Sequence, residues 1–413
     1  MRIGRTIPPA AAPLCWTDFR HAVAGACSPV ATRRALEADI RSHFGIRHAR
    51  AVSSGTAALT LTLKALKSMS PRREVVLPAF TCFSVPAAVA EAGLRPVLCD
   101  IDASTYDFDH ALLERTVGSD TLCVLAHHLF GSPSDVARIR LLCAKRGAFV
   151  VEDAAQAMGM VVGGRALGTL GDVGIFSFGR GKNVTCGSGG AIVTDSGEIA
   201  GAVARECTHL ETPGSGEALA DFVRLLLLSI FIRPRLYWIP AALPFLRLGQ
   251  TVFPREIPLK RLSGVKAGVL RNWKTRLARS NRIRADNAAY FRRSLACPLA
   301  ADPAPPYLRL PVLAASREER QRIHALSQQN GWGLSPAYPT SIDEIPEIRH
   351  AFDGQRYPCA KDLADRLFTI PTHHWLSEED RRAISDGLVR SHADAWRQAP
   401  RASLSESAPA TAR

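Results

Sequence analysis

The chain has 413 residues, 46% hydrophobic and 22% charged, and its 52 Lys and Arg against 38 Asp and Glu leave a formal charge of +14. That length suits one large and one small domain with a full apolar core. The basic balance suits anionic partners such as nucleotide diphosphates or an acidic membrane surface, or else marks an Arg-rich solvated surface. A nucleic-acid-binding module is excluded because zinc-finger spacing, RNA-binding aromatic motifs and a helix-turn-helix signature are all missing.

Arg2 and Arg5 are followed by no apolar run of signal length, so export is not expected and the cytoplasm is the expected compartment. Residues 1–27, with Pro8, Pro9 and Pro13, read as an irregular arm that wraps the surface or a partner subunit. Ser28-Pro29 starts a helix that runs through His43 and stops at Gly45. A strand ending at Val52 then feeds Ser53-Ser54-Gly55-Thr56 and an Ala/Leu helix to about Lys67. Glycine at a strand-to-helix turn frees backbone N–H groups where the helix dipole favours a phosphate; a plain capped turn is the alternative.

An α/β rhythm follows. Strands are expected at 74–77, 95–99, 122–126 and 149–152, and helices at 83–92, 109–117 and 134–146. Such alternation predicts a mostly parallel sheet with helices on both faces. Ten cysteines lie along the chain without a Cys-x-x-Cys pair, and Cys99, Cys123 and Cys143 sit inside these apolar patterns. They read as small buried hydrophobes of a reducing compartment, and no metal site follows from them.

The run Ala148-Phe-Val-Val-Glu-Asp153 is a buried strand with Asp153 at its carboxyl end, the edge where open α/β sheets bind ligands. About thirty residues on, strands at 173–178 and 191–194 flank a glycine-rich loop holding one lysine, Lys182. An amine in an electropositive, partly desolvated loop has a lowered pKa and attacks carbonyls, which is Schiff-base chemistry. A solvated hairpin lysine is the alternative. Asp153 and Gln156, followed by Ser177 and Lys182 on the next strand and loop, argue for the chemical reading, since a carboxylate at that edge can pair with a pyridinium nitrogen.

These pieces resemble the DegT/DnrJ/EryC1/StrS sugar aminotransferases, which have the fold type I, aspartate aminotransferase-like architecture. The resemblance runs through Val52-Ser-Ser-Gly-Thr-Ala-Ala-Leu59, Val76-Leu-Pro-Ala-Phe-Thr81, Ala92-Gly-Leu-Arg-Pro-Val-Leu-Cys-Asp-Ile-Asp102, His128-Leu-Phe-Gly131, Glu152-Asp-Ala-Ala-Gln156 and Ser177-Phe-Gly-Arg-Gly-Lys-Asn183. It resumes at Leu367-Phe-Thr-Ile-Pro-Thr-His373. It implies an α/β fold with a large domain built on a mostly parallel seven-stranded sheet and a smaller α+β domain. It also implies pyridoxal 5'-phosphate as cofactor, a homodimer, and amino transfer from an amino acid, usually glutamate, to a nucleotide-linked keto sugar. Such a reaction belongs to cell-surface polysaccharide or secondary-metabolite biosynthesis.

Carried over, Lys182 matches the Schiff-base lysine and proton-moving base, and Asp153 the partner of the pyridine nitrogen. Gln156 matches the donor to the ring hydroxyl; Gly55, Thr56 and Ser177 match the phosphate cradle. The ring-stacking position departs from the family, since Cys82 follows Thr81 and Phe83 comes one later, so stacking falls to Cys82 or to Phe83. His128 aligns with a strand-end histidine of structural or substrate-contacting role. Aminocyclitol transamination, sugar dehydration and a non-catalytic scaffold in polysaccharide assembly remain as alternatives; Lys182 in place of histidine argues against dehydration.

The second departure is the apolar stretch 219–246, interrupted by Arg224, Arg233, Arg235, Pro234, Pro240 and Pro244 below spanning length. It reads as a buried helix pair at a subunit interface, or as an interfacial membrane segment over Phe222 to Leu246. One long amphipathic helix is expected from Val265 to Leu295, linking to a small domain with a strand at 307–312, a helix at 316–330, a strand at 367–370 and a last helix from Ser377. The organisation expected is therefore an arm (1–27), a cofactor-binding large domain (28–205), a hydrophobic insert (206–264), a linking helix with the small domain (265–397) and a disordered tail (398–413).

Overall fold

The computed structural model describes residues 2–246, 248–249, 251–295 and 304–392. The expected tail lies outside the described residues.

In chain order the strands of the first half are β1 (His48–Val52), β2 (Glu74–Pro78), β3 (Arg95–Cys99), a hairpin of β4 (Ile101–Asp102) and β5 (Asp107–Phe108), β6 (Thr121–His127), β7 (Phe149–Asp153), a hairpin of β8 (Val161–Val162) and β9 (Arg165–Ala166), β10 (Val173–Ser177) and β11 (Gly190–Thr194). Seven of them form one sheet in the spatial order β1-β11-β10-β7-β6-β2-β3. Only β11 runs antiparallel to its neighbours β1 and β10; the other pairs are parallel.

The helices of this half are α1 (Trp16–Cys27), α2 (Pro29–Phe44), α3 (Gly55–Met69), α4 (Ser84–Glu91), α5 (His110–Thr116), α6 (Val136–Arg146) and α7 (Gly197–Glu206). Side chains alternate between the two faces of a strand, so a strand buried on both faces needs two covers. Val75, Leu77 and Leu125 point into a cluster with Leu61 and Leu63 of α3 and Val85 of α4. Val76, Val124 and Ala126 point the other way, onto Leu113 of α5 and Ile139 of α6. Side chains cap the helix starts: Ser54 accepts from Ala57 N, Asp109 from Leu112 N and Asp135 from Arg138 N.

The arm is not irregular throughout. α1 forms because Asp18 accepts from Cys15 N (2.8 Å) and because its small residues fit a neighbouring helix, α10 (Gly264–Val269). A Cβ at Gly264 would lie 2.1 Å from Gly25 O, and one at Gly268 2.1 Å from His21 O, so the two backbones meet directly. Nor is 265–295 one helix. α10 ends in a 3-10 turn at Leu270–Asn272, and α11 (Trp273–Ser294) starts afresh. Arg276 explains the break by donating to the terminal carbonyl of Val269 (2.7 Å), while buried Trp273 donates to Asp39 (2.9 Å).

The insert forms α8 (Ser215–Phe231) and α9 (Pro234–Ala241). Within the single chain this pair leaves much of its apolar surface exposed. Asp221 and Leu225 are the buried residues of α8, while Leu219, Val223, Leu227, Ile230, Ile239 and Phe245 are exposed. α8 is anchored by Leu225 in the core, by Phe222 against Phe19 of α1 (centroids 5.7 Å), and by Asp221, which takes Ser263 Oγ (2.7 Å) and Lys266 Nζ (2.9 Å). The last part has the antiparallel pair β12 (Arg309–Leu313) and β13 (Leu367–Pro371) with α12 (Arg317–Asn330), α13 (Pro358–Arg366) and α14 (Glu378–His392).

Candidate active site

The carboxyl ends of β6, β7 and β10 and the start of α3 converge on one sheet edge. Asp153, the last residue of β7, stands in register between His127 of β6 and Ile175 of β10. It is buried; one carboxylate oxygen accepts from Ala155 N (3.0 Å) and the other faces His127 Nε2 at 3.8 Å. The Thr81 hydroxyl sits on His127 Nδ1. Burial drops the His127 pKa to about 4, more than the neighbouring Asp153 restores, so the ring is neutral at pH 7.

Glu152, one residue earlier, points to the other face. It accepts from the N–H groups of Gly168, Leu170 and Gly171 and meets His128 Nε2 at 3.0 Å. Burial alone would raise its pKa, but His128 and the backbone donors hold it below the usual carboxylate range. His128 also accepts from Ser134 N (3.1 Å), so its place is structural, behind the sheet edge.

Lys182 lies in the loop after β10. Gly181 before it has φ +76°, and a Cβ there would come within 2.7 Å of the Ala10 Cβ, so the arm packs directly on this loop. Burial lowers the Lys182 pKa; the charges of Cys82 and Asp153 oppose this and that of Arg309 adds to it. Cys82 is half-buried. Phe83 is buried in the main core cluster at the start of α4.

Gln156 is buried and donates its amide to the Tyr338 hydroxyl (3.0 Å), while its Oε1 has no partner. Ser177 presses on the start of α3: a Cβ at Gly55 would lie 2.9 Å from its Oγ. From below, Gly190 lets β11 touch the same turn, since a Cβ there would lie 2.3 Å from Ser54 O. The N–H groups of Gly55 and Thr56, in the first turn, fall outside the helix's own ladder.

Three residues at this edge escape a reading of the sequence. His127 has a signal, because the doublets His127-His128 and Glu152-Asp153 end neighbouring strands and a period of two pairs them face by face. Arg309, which opens β12, and Tyr338, which packs on Phe80 and Phe130 with centroids at 5.3 and 6.2 Å, have none. They arrive from more than 120 residues beyond Lys182.

A mostly parallel seven-stranded sheet, with a desolvated lysine, a strand-end carboxylate and a helix start at its carboxyl edge, defines an α/β protein of the pyridoxal phosphate-dependent transferase fold type I. The chain belongs to the DegT/DnrJ/EryC1/StrS aminotransferase family, whose model matches residues 25–389. Among solved structures, Helicobacter pylori PseC, an aminotransferase involved in the biosynthesis of pseudoaminic acid, superposes with a TM-score of 0.76 at 16% identity, over 94% of this chain and 99% of that one. A sugar aminotransferase from Micromonospora echinospora gives 0.73 at 22% identity, over 92% and 99%. In sequence, the UDP-N-acetyl-3-dehydro-α-D-glucosamine 3-aminotransferase of Acidithiobacillus ferrooxidans is 39% identical over 167 residues, 40% of this chain and 45% of that protein. The GDP-perosamine synthase of Vibrio cholerae is 33% identical over 179 residues, 43% and 47%. The chain thus spans about half the length of the curated relatives it matches.

Proposed function

We propose that this chain is a pyridoxal phosphate-dependent aminotransferase that moves an amino group from an amino acid, with glutamate as donor, to a nucleotide-linked keto sugar. The observation that carries the reading is the convergence of Lys182 and Asp153 at the sheet edge beside the start of α3. The substrate class is supported by the names of the relatives, two of which act on UDP- and GDP-linked sugars. Polysaccharide or secondary-metabolite biosynthesis in the cytoplasm is the setting we assign.

The residues present fit the cofactor. Gln156 keeps a buried, unpartnered amide oxygen, and α3 offers two backbone N–H groups beside the Ser177 hydroxyl. When bound, pyridoxal phosphate supplies an aldehyde to take up the amino group and a ring that accepts electrons. Asp153, steadied by Ala155 N–H and His127, would hold a proton on the ring nitrogen. Gly55, Thr56 and Ser177 would hold the phosphate at the positive end of α3. Gln156 would donate to the ring oxygen. Cys82, on the Lys182 side, suits the ring face better than core-bound Phe83. Lys182, its pKa lowered by burial, is a neutral amine in a larger fraction of molecules than a free lysine, as a nucleophile and proton carrier requires.

We divide the chain into a large domain at 28–205, an insert at 206–264 and a small domain with its linking helix at 265–397. The proposed assembly is a homodimer, supported by the exposed apolar face of α8 and α9. Among the described residues no helix is long and apolar enough to cross a membrane. The same face, flanked by exposed Arg224, Arg233 and Arg235, favours peripheral contact with an anionic membrane over Phe222 to Leu246 as a second reading.

The test is the visible spectrum of the protein with pyridoxal phosphate, before and after glutamate, with Lys182→Ala as control. A visible band that requires Lys182 and is bleached by glutamate is expected, followed by its return on adding a nucleotide-linked keto sugar. A band that is absent, or indifferent to glutamate, sinks the aminotransferase reading.

A further inference from the structure

A buried polar nitrogen without a partner costs free energy, and two in one place mark a spot where a ligand would gain hydrogen bonds. Among the described residues, Trp375 Nε1 and His374 Nε2 are such a pair, and both side chains line one cleft. Their ring centroids stand 4.7 Å apart. The cleft encloses about 220 Å³ between the arm, the end of α8, α11 and the segment after β13. Its walls are tied down: Arg276 holds the arm through Pro13 O (3.1 Å), and Trp375 N donates to His373 Nδ1 (3.2 Å).

The lining is mostly apolar, with Leu14 from the arm, Ile232 from the end of α8, Ile283 from α11 and the Trp375 ring. Two guanidinium groups complete it, those of Arg233, just past α8, and Arg279 of α11. Both residues are exposed, and among the described residues neither side chain has an ion pair or a hydrogen bond. Two free cations beside an apolar hollow match a molecule with one anionic end and one apolar end. The exposed stripe of α8, at Leu219, Val223, Leu227 and Ile230, runs at helical spacing toward Arg233 and continues the apolar surface to the cleft. A dry cavity of about 150 Å³ holds a benzene ring, so this one takes a chain of roughly eight carbons.

We infer that this cleft binds a single-chain amphiphile with a phosphate head, the phosphate on Arg233 and Arg279 and the chain against Leu14, Ile232, Ile283 and Trp375. An indole N–H is a donor only, so what Trp375 lacks is an acceptor oxygen, which a phosphate ester supplies. A nucleoside fits less well, because its base and ribose bring more polar groups than two ring nitrogens can pair. None of the lining residues is among those that hold the cofactor, so the inference does not depend on the aminotransferase reading.

The experiment is calorimetric titration of the protein with hexyl, octyl and dodecyl phosphate below their micelle concentrations, with octanol and inorganic phosphate as probes of each half alone. One octyl phosphate per chain is expected, bound more tightly than either half. Affinity should rise roughly fourfold per carbon up to octyl and then level off as the cleft fills. Arg233→Gln with Arg279→Gln, both at exposed positions, should keep the wild-type melting temperature, weaken octyl phosphate roughly 10–100-fold and leave octanol unaffected. Ser229→Trp, which fills the cleft from α8, should abolish binding of both. No binding, affinity that climbs unbroken to dodecyl, or an arginine double variant that binds like wild type overturns the inference. So does a wild-type dimer that ignores octyl phosphate and comes apart with Ser229→Trp, because a second copy would then cover the cleft. Co-sedimentation with phosphatidylcholine vesicles containing lysophosphatidate identifies the source. Uptake lost in the arginine double variant makes the ligand a bilayer lipid, and octyl phosphate binding without vesicle uptake makes it a free molecule.

Discussion

At Asp153 and Lys182 the two charges the site needs are held under opposite pressures. Asp153 stays at a sheet edge with one N–H donor and a neutral histidine beside it, so much of its hydrogen-bonding capacity is left for a ring nitrogen. Asp153→Asn keeps the shape and removes the charge; transamination should fall by about 10²–10³-fold, read as the rate of the glutamate-driven spectral change, with the cofactor still attached through Lys182. Lys182 is a base whose pKa is lowered by folding, so below its unfolded value near 10.5 the unfolded chain binds more protons than the folded one. Its ammonium therefore opposes folding at neutral pH, and the opposition fades as pH rises toward 10.5. Lys182→Met in the cofactor-free protein should be more stable than wild type at pH 7, with a smaller difference at pH 9.5. Equal denaturant midpoints at pH 7 would show that the amine is solvated in the free protein.

The α1–α10 seam is where backbone meets backbone. Gly268→Ala places a methyl 2.1 Å from His21 O, and overpacking of this kind is expected to remove about 1–3 kcal/mol, seen as a lower urea midpoint at unchanged slope. No such contact can be read from sequence, which is why the arm reads as irregular: α1 is held by glycines on another helix and by an Asp18–Arg276 pair 258 residues apart in number. The sheet, by contrast, is legible because its central strands β6, β7 and β10 are largely apolar runs and several of its helices bring their own cap, as at Ser54 and Asp135. Lys182, Asp153 and Gln156 are legible because they sit at strand ends within thirty residues of each other. Arg309 and Tyr338 are not, since only the fold brings β12 to the end of β6. On α8 the apolar character was plain and its exposure was not. Leu227 and Ile230 face outward on one turn. Leu227→Glu with Ile230→Glu should leave the melting temperature within a few degrees of wild type and shift a dimer toward monomer in sedimentation. Vesicle co-sedimentation lost in that variant, with the dimer intact, would favour the membrane reading instead.

The arm stitches the two halves of the molecule together. Arg284 and Arg276 of α11 donate to Ala11 and Pro13, Arg5 pairs with Asp380 on α14, and His373 Nε2 meets Pro8 O at 2.7 Å. Two of the histidines near this junction and one at the site edge are held neutral. Burial pulls His373 down to about 3 and His374 and His127 to about 4. A histidine with a lowered folded pKa is protonated first in the unfolded chain. Its contribution to stability is therefore intact above the unfolded value near 6.5 and is lost as pH falls from there toward 4. Each of the three groups is capable of removing a few kcal/mol across that window, so the molecule should unfold in mild acid before its carboxylates titrate. Urea midpoints at pH 7.5, 6 and 5 should fall steeply for wild type. They should fall less for His373→Gln, which keeps a donor for Pro8 O and has no proton to gain. Because His373 ties the arm to the segment that follows β13, limited proteolysis at pH 5 should cut wild type first between residues 8 and 15, where Gly181 and Lys182 lose their cover. If the two proteins give parallel pH curves, His373 is not the acid-sensitive point and the loss must come from His374 or from His127 at the site.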